Sequence, residues 1–322
     1  MGHKFVNEIK AGEVIDEVYM VKDPILRSTS NGSLYIAMFI CDRSGQLNGR
    51  MWQATEAAYT QMPKPGFIHV KGRSELYQGN LQMVVNQFGV VDAGQVNLED
   101  FLARTEKDIA KMFAEVKQIV GKIENKQLKA LVGEFLADKE LMDGFCKAPA
   151  AVKLHHNYLG GLLEHTHNSL CVAEAVFGFY PEVNRDLVLS GLFLHDMGKI
   201  EELSYEMAFS YTDSGQLIGH IAKSLVMLAR KADALAAKGT KIDEEIIDAL
   251  GHIILSHHGQ YEFGSPKLPA TAEAFMVNYI DDLDAKMRQV TGLIDNEVGD
   301  SNWTGWQNSL GTRLYRKGIE QG

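Results

Sequence analysis

The period of the hydrophobic pattern changes once along this chain, near residue 96, and that change limits the folds open to it. Up to residue 95, apolar and polar residues alternate in short runs such as SLYIAMFICD, LNGRMWQ, FIHVKGRSEL and LQMVVNQFGVVD. RSGQ, PKPG and YQGN stand between the runs. Runs rich in Val, Ile, Phe and Tyr, broken by Gly, Asn and Pro, read as strands joined by tight turns, and there are about five of them. From Leu98 onward the spacing becomes helical. Asn97 is expected to cap a helix through LEDFLARTEKDIAKMFAEVKQIVGKI, with Phe101, Ile109, Phe113, Val116 and Val120 on its apolar side. Segments 126–146, 157–178, 184–197, 217–237, 242–256 and 270–292 repeat that texture. One interruption is expected, a β-hairpin over SYEMAFSYTDSGQL (204–217) with Asp-Ser-Gly as its turn.

The chain therefore reads as multidomain β plus α. Residues 1–95 form a small closed barrel, for which an OB-fold is the candidate, a fold that binds single strands or oligosaccharides on one face. Residues 96–150 form a helical connector, 151–300 an all-α bundle and 301–322 a tail. The formal charge of −10 argues against a protein that coats nucleic acid by bulk electrostatics. That charge is unevenly spread: residues 1–95 hold nine Lys/Arg and nine Asp/Glu, so the whole excess lies beyond them. Cys41, Cys146 and Cys171 are too few and too scattered for a disulfide scaffold. The N-terminal MGHKFVNEIKAGEVIDEV carries acidic residues and no apolar segment, so no signal peptide is expected. No run of about eighteen apolar residues is present either. The expected setting is cytoplasmic, with no membrane contact.

Nine of the 11 histidines fall between positions 155 and 258. A histidine-rich window that also contains acids is where a metal site is sought. His195-Asp196 ends the apolar run DLVLSGLFLHDMGK, His257-His258 ends DALGHIILSHHG, and Asp281, Asp282 and Asp284 end FMVNYIDDLD. His220 opens a helix after Gly219, and His165 lies in GGLLEHTHNSL. One such histidine is usually a cap or a surface residue. Several, each placed by a different apolar helix, are how bundle-core metal sites are built. Imidazole and carboxylate without thiolate suit manganese first, with iron, cobalt or magnesium as alternatives. His165 and His167 stand about 200° apart on a helix, so both cannot face one site, and periodicity does not choose between them. The roles of His155, His156, His167 and His252 stay open.

These residues resemble the HD-domain metal-dependent phosphohydrolases. LEHT is similar to that superfamily's first histidine position, which selects His165; LHDMGK resembles the central motif and the D-x-L-D of Asp281 to Asp284 the last, which selects Asp281. IGHI with His220, and the pair His257-His258, resemble the extra histidines of members that hold two metals. HHNYLGGLLEHT, SHHGQYEFGSPKLP, YIDDLDAKM and WTGWQNSLGTRLYRKG, behind a barrel-like segment, resemble the YhaM family of bacterial 3′→5′ exoribonucleases over essentially the whole chain. The HD branch that cleaves cyclic dinucleotides carries a Gly-Tyr-Pro signature after its histidine pair, where this chain reads GQYEFGSPKLP.

The resemblance implies an OB-like barrel followed by an HD-domain helical bundle with two divalent ions. Asp196 would bridge them, His165, His195 and Asp281 completing one end and His220, His257 and His258 the other. The implied reaction is hydrolysis of single-stranded RNA, with DNA as a second candidate substrate, to 5′-mononucleotides by way of a bridging water. Lys199 is expected to reach the scissile phosphate as a point charge, against the alternative of a solvated helix-end lysine. On the barrel, aromatic stacking and a few cations would hold the strand. Phe39 and Phe67 are expected in the core, and Trp52, Tyr77, Tyr35, Arg50 and Arg73 at the nucleic acid. The alternatives are an HD phosphohydrolase acting on nucleotides or a small signalling diester, and a non-catalytic nucleic-acid-binding protein. Segment 98–146 and the aromatic tail are surfaces on which two copies could pair.

Overall fold

The computed structural model describes residues 3–152, 156–205, 209–295, 297 and 301–318. The chain divides into two compact units, the first built on Met1–Arg104 and the second on Thr105–Ser204 and Phe209–Gly322.

Five strands make the first unit: β1 (Val14–Ser28), β2 (Leu34–Asp42), β3 (Gly45–Trp52), β4 (Gly66–Tyr77) and β5 (Asn80–Val91). They close in the order β1-β2-β3-β5-β4, with β1 antiparallel to both β2 and β4 and β3 parallel to β5. This is an OB-like barrel. Alternation decides the faces: Ile36, Met38 and Ile40 of β2, Ile68 and Val70 of β4, and Met83 and Val85 of β5 point into the core. Gly72 stands where the β4–β5 register shifts, and a Cβ there would lie 2.2 Å from the Val84 carbonyl oxygen. A short helix, α1 (Glu56–Gln61), is capped by the Thr55 side chain.

Asp42 ties the N-terminal segment to this barrel. Its carboxylate accepts from the Val6 amide at 2.6 Å and from the Ser44 amide at 2.7 Å, and lies 3.3 Å from His3 Nε2. The His3 ring packs edge-on against Phe5, Tyr19 and Phe101.

The expected helix from Asn97 does not form as one piece. Asn97 caps a single 3-10 turn, Leu98–Asp100, and Phe101 and Leu102 are then buried. The Phe101 ring sits 4.9 Å from Phe67 in the first unit. With Phe101 held there, α2 starts only at Ile109 (Ile109–Val120), capped by Asp108. The 126–146 stretch is likewise two helices, α3 (Lys126–Leu136) and α4 (Lys139–Lys147), because Asp138 starts a new helix by accepting from the Leu141 amide.

The rest of the second unit is α5 (Gly161–Val176), α6 (Arg185–Leu194), α7 (Lys199–Glu202), β6 (Leu203–Ser204), β7 (Ser210–Tyr211), α8 (Asp213–Ile218), α9 (His220–Ala237), α10 (Glu244–Ser256) and α11 (Ala272–Asp295). The hairpin exists as β6 and β7, but Asp213-Ser214-Gly215 is not its turn. Thr212 caps those residues into α8, and Gly215 packs so closely on the Glu202 carbonyl that a Cβ would lie 2.2 Å from it. Helices α5, α6, α10 and α11 pack on one another around a core of Leu162, Leu189, Leu192, Ile253 and Val277. Among the described residues, no helix is long and apolar enough to cross a membrane.

Burial works against charge on Asp42, but its hydrogen bonds to His3, Ser44 and Val6 outweigh this and hold its carboxyl below the ordinary value of 3.8. Its contribution is therefore complete above about pH 4 and is lost as the pH falls through the folded-state value. Asp42→Ala is expected to destabilise the barrel unit by about 2–3 kcal/mol at pH 7, the cost of removing an ionised acceptor of buried amides. Thermal melts of both proteins check it, and superimposable melts would contradict it.

Candidate metal centre

Five histidines and two aspartates meet between the helices of the second unit. His165 comes from the first turns of α5, His195 and Asp196 from the C-terminal end of α6, His220 from the first position of α9, His257 and His258 from just past α10, and Asp281 from α11. Two close contacts set the positions of His195 and His220. A Cβ on Gly198 would lie 2.1 Å from the His220 carbonyl oxygen, so only glycine lets the chain after α6 approach α9. Ser224 of α9 donates to the His195 carbonyl at 2.9 Å and accepts from the Gly198 amide at 2.8 Å.

Every one of the five imidazoles has its Nδ1 against an oxygen acceptor. His195 donates to the Leu192 carbonyl (2.9 Å), His257 to Ile254 (2.8 Å) and His258 to Phe263 (2.7 Å). His165 Nδ1 meets Asp284 Oδ2 at 2.7 Å, and His220 Nδ1 meets Glu202 Oε1 at 3.1 Å. An acceptor at Nδ1 fixes the proton there and leaves Nε2 with its lone pair, which is how metal-binding histidines are held. The Nε2 atoms then converge. Those of His165 and His195 are 3.3 Å apart, and His165 Nε2 is 3.1 Å from Asp281 Oδ1.

The carboxylate of Asp196 lies between two groups. Oδ2 is 3.4 Å from His195 Nε2 and 3.8 Å from His165 Nε2, while Oδ1 is 3.4 Å from His220 Nε2 and 3.6 Å from His257 Nε2. Asp196 Oδ1, His220 Nε2 and His257 Nε2 are buried and have no hydrogen-bond partner among the described residues. Three buried acceptors facing one another are costly unless a cation joins them. Donor atoms of His165, His195 and Asp281 lie within 4.8 Å of one another, as do those of His220, His257 and His258, and those of His195, Asp196 and His257. The donors are nitrogen and oxygen only, so a divalent ion that accepts imidazole with carboxylate fits this pocket.

Burial holds His220 and His257 below the ordinary histidine value, and burial with the neighbouring His257 brings His258 down to about 4. These imidazoles are neutral at pH 7 and ready to ligate. At His165 burial also works against charge, but Asp281 and Asp284 outweigh it and hold its pKa up to about 10. Asp196 is held well below the carboxylate range against its burial, chiefly by Lys199 and His195.

Lys199 is buried with its Nζ 2.6 Å from Asp196 Oδ2, so it is not the solvated helix-end lysine that formed the alternative. His167 does not join the cluster. It faces Glu115 of α2, its Nε2 2.7 Å from Oε2. Asp282 is exposed, and His252 accepts from the Ala270 amide at 2.9 Å. His156 is buried against Asp284, at 2.7 Å. His155 lies outside the described residues. Sequence reasoning did not assign Asp284, Glu202 or Glu164. The three-residue step from Asp281 puts Asp284 on the same helix face; for Glu202 and Glu164 no sequence signal existed.

On the barrel, the register places the five expected nucleic-acid residues on the outer side of β2, β3 and β4. Tyr35 pairs with Trp52, Arg50 and Arg73 both register with Val84, and Tyr77 follows Arg73 at an even step. The Tyr35 and Trp52 rings are 5.1 Å apart, and the Arg50 guanidinium lies 5.7 and 5.8 Å from their centres. Phe67 is buried in the first unit as expected, but Phe39 is only half-buried, because Ile36, Met38 and Ile40 take the inward positions of β2.

The HD domain family matches residues 162–286. The chain is 33 % identical over 287 residues to a 3′-5′ exoribonuclease YhaM of Bacillus subtilis, covering 89 % of each chain. It is 32 % identical over 288 residues to the protein of the same name from Listeria welshimeri, covering 89 % of this chain and 90 % of that one. A solved structure, the second OB-fold domain of replication protein A from Methanococcus maripaludis, is 17 % identical and covers 30 % of this chain and all of that one, with a TM-score of 0.22.

Addition of Mn²⁺ to chelator-treated protein is expected to raise the melting temperature, since an ion at 100 times its Kd adds about 2.7 kcal/mol to a fold that alone can bind it. His165→Ala should lose part of that shift and His167→Ala should keep all of it. An equal loss in both would remove the assignment of His165. Because Asp281 and Asp284 favour the charged form of His165 while burial favours the neutral forms of His220 and His257, metal uptake at pH 7 should be accompanied by proton release from the His165 end. Calorimetry in buffers of different ionisation enthalpy counts it.

Proposed function

The chain belongs to the YhaM family of 3′-5′ exoribonucleases, and on that premise we propose that it trims single-stranded RNA from the 3′ end at a centre for two divalent ions. The observation that carries the two-ion reading is the division of Asp196, one carboxylate oxygen toward His165 and His195 and the other toward His220 and His257. Asp196 then serves both ends. His165, His195 and Asp281 complete one, and His220, His257 and His258 the other. The ions, when bound, supply a nucleophile at neutral pH and offset the charge that builds on phosphorus. Nitrogen and oxygen donors favour Mn²⁺, with iron, cobalt or magnesium as alternatives.

The protein's own groups do the rest. The Nδ1 acceptors stop the five rings from turning, so the donor geometry is set before substrate arrives. Lys199 places a fixed cation beside Asp196, where it meets a phosphate oxygen of the strand. Water adds to phosphorus and the bond to the 3′ oxygen of the preceding nucleotide breaks. A 5′-mononucleotide leaves, and the shortened strand keeps a free 3′ hydroxyl for the next turnover.

On the barrel, Tyr35, Trp52 and Tyr77 offer faces on which bases stack, and Arg50 and Arg73 offer charge to the backbone. The barrel's lack of net charge suits a grip through stacking and placed cations, and stacking tolerates any base. Single-stranded DNA is the second substrate of this reading, and the cytoplasm its setting.

With Mn²⁺, the purified protein should shorten 5′-labelled single-stranded RNA in a ladder and release 5′-mononucleotides. RNA left intact across several divalent ions would overturn the reading. Asp196→Ala should reduce cleavage to background while RNA binding persists. Trp52→Ala should raise KM for a long strand by about 5- to 150-fold, the equivalent of losing one stacked base, and leave hydrolysis of a short diester unchanged.

A further inference from the structure

The hydrogen bonds behind His165 do not stop at Asp284. Asp284 Oδ2, 2.7 Å from His165 Nδ1, is also 2.7 Å from His156 Nε2, and His156 Nδ1 is 2.8 Å from the Tyr158 hydroxyl. That hydroxyl donates to Glu164 Oε2 at 3.0 Å, and Thr105 Oγ1 donates to the same oxygen at 2.5 Å. Glu164 is 1 % exposed inside α5, with Lys107 Nζ 3.1 Å from its other oxygen and Arg288 paired to that oxygen as well. A continuous line of side chains thus runs from Thr105 to the imidazole of His165.

Each intermediate is held from more than one side. Asn168 donates to Asp284 Oδ1 at 2.9 Å, so that carboxylate cannot rotate freely. His156 sits at φ 51°, a left-handed backbone that a histidine adopts only where its surroundings require it. Its carbonyl accepts from the Ala150 amide at 3.0 Å and lies so near Gly161 that a Cβ there would be 2.2 Å away. Thr105 is fixed by its backbone as well, donating to the Leu159 carbonyl at 2.9 Å. It is also the first residue of the second unit, directly after Arg104.

We propose that Thr105, Glu164 and Tyr158 are positioning residues for His165, acting through His156 and Asp284. They fix the rotation of the His165 ring and the proton on its Nδ1, and thereby the affinity of that end of the metal centre. None of the three offers an atom to the cluster at the other end, so their effect is confined to one of the two ions. The inference rests on the two-ion reading above.

The test uses the full-length chain and counts bound Mn²⁺ by equilibrium dialysis, with free ion read by electron paramagnetic resonance. Tyr158→Phe keeps the ring and removes the hydroxyl. It is expected to weaken one of the two bound ions about 10- to 100-fold and leave the other unchanged. Thr105→Val should act in the same direction and Thr105→Ser should restore wild-type binding, because serine keeps the donor. Wild-type affinity at both ends in Tyr158→Phe and Thr105→Val would overturn the proposal. So would an equal loss at both ends with a lowered melting temperature, which marks general loosening. One bound equivalent in the wild type would remove the two-ion reading alone, and the proposal would then be decided by whether that ion weakens in Tyr158→Phe. A wild type that takes up no Mn²⁺ would remove both.

Discussion

The buried carboxylate of Asp196 sets the conditions that the second unit must meet. It is buried, and it faces histidine nitrogens on two sides with the Lys199 ammonium 2.6 Å from Oδ2. A single buried ammonium satisfies one oxygen of such a group and leaves the other without a donor. The surrounding helices are arranged around that deficit: His165 from α5, Asp281 from within α11, His220 at the start of α9 and the residues just past α6 and α10 converge there, and glycines at 198 and 215 allow the backbones close enough. A core packed only for stability would not leave three acceptors facing one another.

The two units divide the work by different physics. In the barrel, period-two alternation sends one row of side chains to the core and the next to the surface, so the row that carries Tyr35, Arg50 and Trp52 follows directly from the row that carries Ile36 and Met51. In the helical unit no single element presents a site. The candidate centre exists only where separate helices meet, and acceptors such as Glu202 and the carbonyls of Leu192, Ile254 and Phe263 decide which nitrogen of each ring faces inward.

Where sequence patterns misled, local propensity met a tertiary demand. The apolar spacing from Phe101 to Phe113 is helical, yet Phe101 is taken by Phe67 and His3, so the helix waits for Asp108. Asp213-Ser-Gly has the composition of a hairpin turn, but Thr212 supplies a cap and the Glu202 carbonyl requires a residue without a side chain, which together make a helix start. Phe39 was expected in the core, but Ile36, Met38 and Ile40 take the inward positions of β2 and leave it half-buried.

The sequence by itself determined the two-part architecture, because the change of hydrophobic period near residue 96 admits strands before it and helices after it. It also made the candidate metal-binding side chains legible, because imidazole and carboxylate at the ends of apolar runs can be read in one dimension. Only the tertiary structure decided that Asp196 turns one oxygen to each histidine pair, that Lys199 is buried against it, and that Asp284, Glu202 and Glu164 stand behind the ligands. Those include relations between residues 119 positions apart, as His165 and Asp284 are, and no local spacing encodes which side of one helix meets which end of another.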